Sequence, residues 1–84
     1  MFIIRFSYSV FQDYSRVGYD SYSIYYDIIP NGKKRDNDDF EVPEHFTLEQ
    51  AEQLARLMKE CMENDGYSGK LAHLSALKKM GELK

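Results

Sequence analysis

Apolar and polar residues alternate along two stretches in the first third of the chain, residues 2–11 and residues 21–29. Alternation with a period of two is typical of a β-strand that buries one face and exposes the other. The inward set occupies the even-numbered positions, which are Phe2, Ile4, Phe6, Tyr8 and Val10, then Tyr22, Ile24, Tyr26 and Ile28. The pattern therefore predicts two strands, joined by a polar loop, whose even-numbered residues face a common core.

The segment after the second strand opens with a Pro-Asn-Gly turn at residues 30–32. Proline fixes φ at the first turn position, and Gly32 accepts the positive φ that follows. This turn predicts a hairpin, so a third strand is expected between residues 33 and 42. Because residues 33–39 are polar or charged and lack apolar alternation, that strand is predicted to be short, charged and at the edge of the sheet.

A longer stretch, residues 47–64, has the period of an amphipathic α-helix. Its apolar stripe consists of Ala51, Leu54, Ala55, Met58, Cys61 and Met62. Thr47 and Gln50 have the spacing of a capping box, in which the two side chains satisfy each other's backbone N–H groups. Gly66 supplies a left-handed stop just past the end. We expect this helix to lay its stripe on the sheet.

A second helix is predicted from Lys70 to about Leu83. Its apolar arc contains Ala72, Leu74, Ala76, Leu77, Met80 and Leu83. Strands followed by helices are typical of the α+β class. The sequence therefore predicts a single α+β domain over residues 1–84, with a three-stranded or four-stranded antiparallel sheet and two helices packed on one face.

Charge is unevenly distributed in this chain of 84 residues, whose net charge is −3. Residues 1–35 carry a net charge of +2, residues 36–65 carry −8, and residues 66–84 carry +3. The acidic block repels phosphate groups and favours a basic protein partner. One cysteine cannot form an internal disulfide, and the start of the chain has no secretory signal pattern, so we expect a cytoplasmic protein.

No residue constellation predicts a reaction or a bound cofactor. Cys61 lies on the apolar stripe of the first helix, where a small core side chain is expected rather than an exposed nucleophile. His45 and His73 have no histidine or cysteine at a ligand spacing, so no zinc site is predicted. The acidic run that begins at Asp36 lacks the glycine and glutamate positions of an EF-hand. We expect no catalytic, cofactor-binding or metal-binding residues.

The seven tyrosines, together with Arg5 and Arg16, favour protein binding, because interfaces are enriched in both residue types. The alternative is that the aromatic residues serve cross-strand pairing on an open sheet face. Odd-numbered strand residues are predicted to lie on the sheet face opposite the helices. The candidate partner-binding residues are Arg5, Tyr25 and Asp27 on that face and Tyr14, Arg16 and Tyr19 in the loop between the two strands. An alternative is the acidic face of the first helix, formed by Glu49, Glu52, Glu60 and Glu63.

The order of elements resembles that of small phage-encoded anti-CRISPR proteins, in particular a type I-F protein with an antiparallel sheet and two helices. The resemblance lies in a strand starting near Met1, a second strand ending in the Asn31-Gly32 turn, and a second helix after a glycine-bearing link. The first helix contributes Thr47, Glu49, Gln50 and Leu54. The resemblance implies a non-enzymatic inhibitor that occupies a surface of a host CRISPR effector subunit in the host cytoplasm. No functional residue is carried over from that family.

Two other functions stay open from the sequence. A small nucleic-acid-binding regulator would use the basic hairpin tip, residues 33–35, although the acidic residues that follow reduce its attraction for phosphate. A small dimeric structural protein would use the second helix as its dimer interface. Neither predicts a cofactor or a membrane association.

Overall fold

The computed structural model describes residues 1–12 and 20–82, with side chains omitted for residues 9–12 and 20–22. The elements are β1 (Phe2–Gln12), β2 (Asp20–Pro30), β3 (Asp39–Glu41), α1 (Leu48–Asn64) and α2 (Gly69–Lys79). The predicted α+β class, with a three-stranded antiparallel sheet and two helices, is confirmed. Among the described residues, no helix combines the length and apolar character that crossing a bilayer requires.

The strand order is β2-β1-β3, so the predicted hairpin between the second and third strands is wrong. β1 pairs with β2 along its whole length and with β3 over residues 3–5, where Ile4 lies opposite Phe40. The reason lies in residues 31–38, whose polar sequence cannot form a strand directly after the turn. The chain instead crosses to the other edge of β1, where the Val42 N–H donates to the Phe2 carbonyl at 3.1 Å.

This crossover, residues 31–38, covers one end of the sheet face opposite the helices. A Cβ added at Gly32 would lie 2.9 Å from Ile29 Cγ2 and 3.2 Å from Ile3 Cγ1, so the glycine backbone packs directly on both side chains. Ile3 is buried as a result, although its odd position predicted exposure. Asn31, with φ 54°, is the turn residue in the left-handed region, and Gly32 is required for space rather than for positive φ.

Helix α1 matches its sequence prediction closely. The Thr47 hydroxyl accepts from the Gln50 N–H, and the Gln50 side chain accepts from the Thr47 N–H at 2.8 Å, so the capping box forms. All six residues of the predicted stripe are buried. Gly66 follows with φ +67°. The stripe packs on β1 and β2, which places the main core between this helix and the even-numbered strand residues Ile4, Phe6 and Ile24. Tyr8, also predicted to face inward, is instead 46% exposed.

Helix α2 is shorter than predicted and buries a narrower stripe. It begins after Ser68, whose hydroxyl accepts from the Leu71 N–H, and it ends at Lys79. Its buried residues are Ala72, Ala76 and Leu77. The two alanines allow a close approach to α1, the element with which α2 makes most of its contacts. Leu74, predicted to lie in the apolar arc, is about half exposed.

Cys61 is predicted to react slowly with thiol reagents. Its side chain is 1% exposed, and its Sγ atom lies within 3.8 Å of Ser75 Oγ and 3.7 Å of Lys79 Nζ. A buried thiol has to wait for local or global opening before a reagent can reach it. We expect labelling by an aromatic disulfide reagent to follow the unfolding rate in native buffer and to become immediate in denaturant. Rapid stoichiometric labelling of the folded protein would contradict this.

Candidate protein-binding surface

Tyr25 dominates the exposed part of the sheet face opposite the helices. It lies opposite Ser7 in the register of β1 and β2, and Ser23 precedes it on the same face. The two serines are too small to shield a phenol ring, and 54% of the tyrosine is exposed. The alternation of β2 therefore raises a large amphipathic side chain above a shallow polar surface, which is a common arrangement for an interface anchor.

Arg5 and Asp39 form a bidentate ion pair on the same face, next to this surface. Arg5 Nε donates to Asp39 Oδ1 at 2.7 Å and Nη2 donates to Oδ2 at 2.9 Å. The Arg35 N–H also donates to Oδ2, at 2.9 Å. The Asp39 side chain is fully buried under the crossover, whereas 35% of the Arg5 side chain remains exposed.

The electrostatics of the ion pair follow from these hydrogen bonds. The hydrogen bond from Arg5, followed by the backbone hydrogen bond from Arg35, holds the pKa of the Asp39 carboxyl well below its usual range. The same side-chain hydrogen bond raises the pKa of the Arg5 guanidinium. Arg5 is therefore held by β3 in the folded chain. What it offers to a partner is the exposed side of a rigid, already paired guanidinium.

Asp27 completes the described part of this surface. It is exposed and lies directly opposite Arg5 in the β1–β2 register, close enough to contribute to the raised pKa of that guanidinium. The structure thus brings together three of the six predicted partner-binding residues: Arg5, Tyr25 and Asp27. We call these three residues the tyrosine face. The other three, Tyr14, Arg16 and Tyr19, lie outside the described residues.

The alternative acidic face is present on α1. Glu49, Glu52, Glu60 and Glu63 are all exposed. Glu49 lies in the first turn, where the helix dipole favours a carboxylate. Lys59 Nζ lies 3.9 Å from Glu63 Oε1, so one carboxylate of the set is partly neutralised. This face offers charge but few anchors, because the apolar stripe of α1 is buried and Leu48, at the first position of the helix, is its exposed large apolar side chain.

A cleft that the sequence did not predict lies between α2 and the crossover. Its volume is about 460 Å³, and it is lined by Lys34, Asn37, Phe40, Lys70, His73 and Leu74. His73 Nε2 lies 3.0 Å from the Glu41 carbonyl, and its ring lies 5.3 Å from the Phe40 ring. Burial lowers the pKa of His73, and the Lys34 ammonium lowers it further. In the sequence, His73 lies between Ala72 and Leu74 of the predicted apolar arc, and this position was the sequence signal for its packing.

No metal centre is formed by the part of the chain that the structure describes, since no three histidine, cysteine or acidic side chains converge there. Comparison with protein-family models, with curated proteins and with solved structures finds no match to this chain. The case for a function therefore depends on the surfaces themselves.

Proposed function

We propose that this protein is a non-enzymatic binding protein that acts by covering a surface of another protein with its tyrosine face. The observation that carries the proposal is Tyr25, a large and mostly exposed phenol on a rigid central stretch of strand. An aromatic anchor on a strand loses little conformational entropy on binding, because the backbone is already fixed and only two side-chain torsions remain. Arg5 and Asp27 fix the register by offering both signs of charge beside it.

The resemblance of the element order to anti-CRISPR proteins supports a specific target. The proposed activity is inhibition of a host type I-F CRISPR effector by a phage-encoded protein in the host cytoplasm. An inhibitor of this class needs no reacting group, only a compact scaffold that presents a binding surface. Expression in a host with active type I-F immunity is expected to restore plaque formation by a targeted phage. Unchanged plaque counts would exclude this target and leave the binding role to be tested on proteins captured from host lysate.

The tyrosine face is favoured over the acidic face because of its anchor. Binding energy at protein interfaces is concentrated in a few buried aromatic and arginine side chains, whereas exposed rim charges contribute mainly to the association rate. The helix that carries Glu52 and Glu60 contains no aromatic residue. The acidic face is therefore assigned the weaker role of steering the protein towards a basic target.

Truncation of the anchor is predicted to weaken target binding strongly. Tyr25→Ala is expected to cost about 2 kcal/mol of binding free energy, or roughly thirtyfold in Kd, since a central aromatic loses its whole contact area. The fold should survive because the ring is exposed. Titration calorimetry against the purified effector complex measures the effect.

The matched control for this experiment is Tyr67→Ala. Tyr67 is also an exposed tyrosine, but it lies on the link between the helices. Its truncation is expected to leave Kd unchanged. The rival surface is tested by Glu52→Lys combined with Glu60→Lys. Loss of binding in this charge-reversed variant alone would assign the site to the acidic face instead.

Nucleic-acid binding is the second candidate, and one observation favours it. Lys34 and Lys70 both line the cleft at α2, and neither makes an ion pair within the described part of the chain. However, residues 33–35 do not form the predicted hairpin tip, and Asp36 and Asp38 are exposed beside them. A salt titration of binding to random duplex DNA distinguishes the two roles, because phosphate contacts produce a steep salt dependence.

A further inference from the structure

The two outer edges of the sheet differ in how their backbone groups are satisfied. On the β3 side, the edge is only three residues long. The Asp39 N–H donates to the Asp36 carbonyl at 3.3 Å, and the Glu41 carbonyl lies 3.0 Å from His73 Nε2. A three-residue strand with two of its outward backbone groups already bonded offers little to another chain. This edge is closed.

The β2 edge is open along the residues that the structure describes. The Phe6 N–H donates to the Asp38 carbonyl, and the Phe2 carbonyl accepts from the Val42 N–H. The backbone N–H and C=O groups of even-numbered β1 residues therefore point towards β3. The backbone N–H and C=O groups of odd-numbered β1 residues point the other way, towards β2. Because pairing joins odd residues to odd residues, the inward groups of β2 belong to its odd-numbered residues, such as Tyr25 and Asp27.

It follows that Ile24, Tyr26 and Ile28 direct their N–H and C=O groups away from β1. Within the described residues, none of these outward groups has a backbone partner. The strand has 11 residues, which corresponds to an edge about 33 Å long. It contains no lysine, and its only proline is its last residue. Long, aromatic and β-branched edges without such guards pair readily with another strand.

We propose that β2 pairs antiparallel with β2 of a second copy of the chain, giving a continuous six-stranded sheet about a two-fold axis at Tyr25. Self-pairing is favoured over pairing with a foreign strand because the strand is self-complementary. Full overlap of the two strands places Ile24 opposite the partner's Tyr26 and Ser23 opposite the partner's Asp27. No like charges face each other in this register, and a hydroxyl faces a carboxylate.

The register also explains the exposed phenol. Tyr25 lies opposite the partner's Tyr25 at a non-hydrogen-bonded position, where Cα atoms approach to about 4.5 Å and side chains are in contact. A register shifted so that Asp27 faced the partner's Asp27 would oppose two carboxylates and is disfavoured. The two tyrosines meet on the face away from α1, so each copy keeps its helical layer intact. The dimer doubles the tyrosine face and goes beyond the proposed function, since it needs no target.

Cysteine cross-linking tests both the dimer and its register. Tyr25→Cys is expected to form a disulfide-linked dimer under mild oxidation, because a 4.5 Å Cα separation lies within disulfide range. The matched control is Ser23→Cys, on the same strand and face. In the proposed register its thiol lies about 13 Å along the strand from the partner's equivalent, too far to bridge. Cys61 stays in both variants because it is buried.

A charge-swap pair tests the same contact without oxidation. The chain has a mass of 9.9 kDa, and sedimentation equilibrium of the unmodified protein is expected to give twice that mass. Tyr25→Lys and Tyr25→Glu should each sediment as monomers, because like charges meet at the two-fold axis. Their mixture should recover the dimer. A monomeric unmodified chain, or equal cross-linking of Ser23→Cys and Tyr25→Cys, would overturn the proposal. No target is present in these assays, so their failure leaves the target-binding proposal intact.

Discussion

Replacement of Asp39 by asparagine is expected to destabilise the protein strongly. The carboxylate accepts three hydrogen bonds, two from Arg5 and one from the Arg35 backbone, and it is fully buried. An amide in its place presents an N–H₂ group to one set of donors and leaves the guanidinium without its counter-charge. We expect the melting temperature to fall by at least about 10 °C.

The pH dependence provides a second measure of the same contact. Because the folded-state pKa of Asp39 is depressed, its contribution to stability is present above the unfolded value of 3.8 and is lost as the pH falls below it. Stability of the unmodified protein should therefore decline from about pH 5 downward, and the decline should be shallower in Asp39→Asn. The matched control is the exposed neighbour Asp38. If Asp38→Asn lowers the melting temperature as much as Asp39→Asn, the buried pair is not the cause.

Gly69→Ala is expected to destabilise the protein by about 2 kcal/mol, against the sign that helix propensity predicts. Alanine is the better helix former, and Gly69 is the first residue of α2. A Cβ at this position, however, would lie 2.6 Å from Phe40 Cζ. The Phe40 ring borders the cleft at α2 but packs between Phe6 and His73, with ring centroids at 6.0 Å and 5.3 Å, so moving it away from a methyl group disturbs both ring contacts.

Denaturant unfolding of a small set of variants tests this steric explanation. Lys70→Ala, at the next helical position and exposed, is expected to change the unfolding free energy by less than about 0.5 kcal/mol. Phe40→Leu should recover part of the loss when it is combined with Gly69→Ala, because it removes the ring that the new methyl group meets. A stabilised Gly69→Ala would mean that the ring yields and that helix propensity decides the sign.

Sequence patterns predicted those elements whose periodicity is local. The stripe of α1 and its capping box were correct to the residue, because both depend on neighbours within four positions. The two long strands were also predicted, with Ile4, Phe6 and Ile24 facing the core. The candidate site was predicted in part: the parity rule placed Tyr25 and Asp27 on the exposed face.

The same rule failed for residues whose surroundings come from distant parts of the chain. Ile3 was expected to be exposed by parity, but the crossover folds over it at Gly32. Arg5 was expected on the exposed face and is 35% exposed there, but its ion pair with Asp39, 34 positions away, was not predicted. The cleft between α2 and the crossover was not predicted. Lys34 and Lys70 line the same cleft only because β3 lies at the far edge of the sheet.

The sequence by itself therefore determined the class of fold, the buried stripe of α1 and the alternation that exposes Tyr25. Strand order was decided only by the tertiary structure. A turn after β2 is compatible with pairing on either edge of the sheet. Residues 31–38, whose polar sequence does not continue as a strand, carry the chain to the far edge of β1, where Asp39 pairs with Arg5. β3 therefore pairs with β1, and among the described residues no further strand pairs with the outer edge of β2.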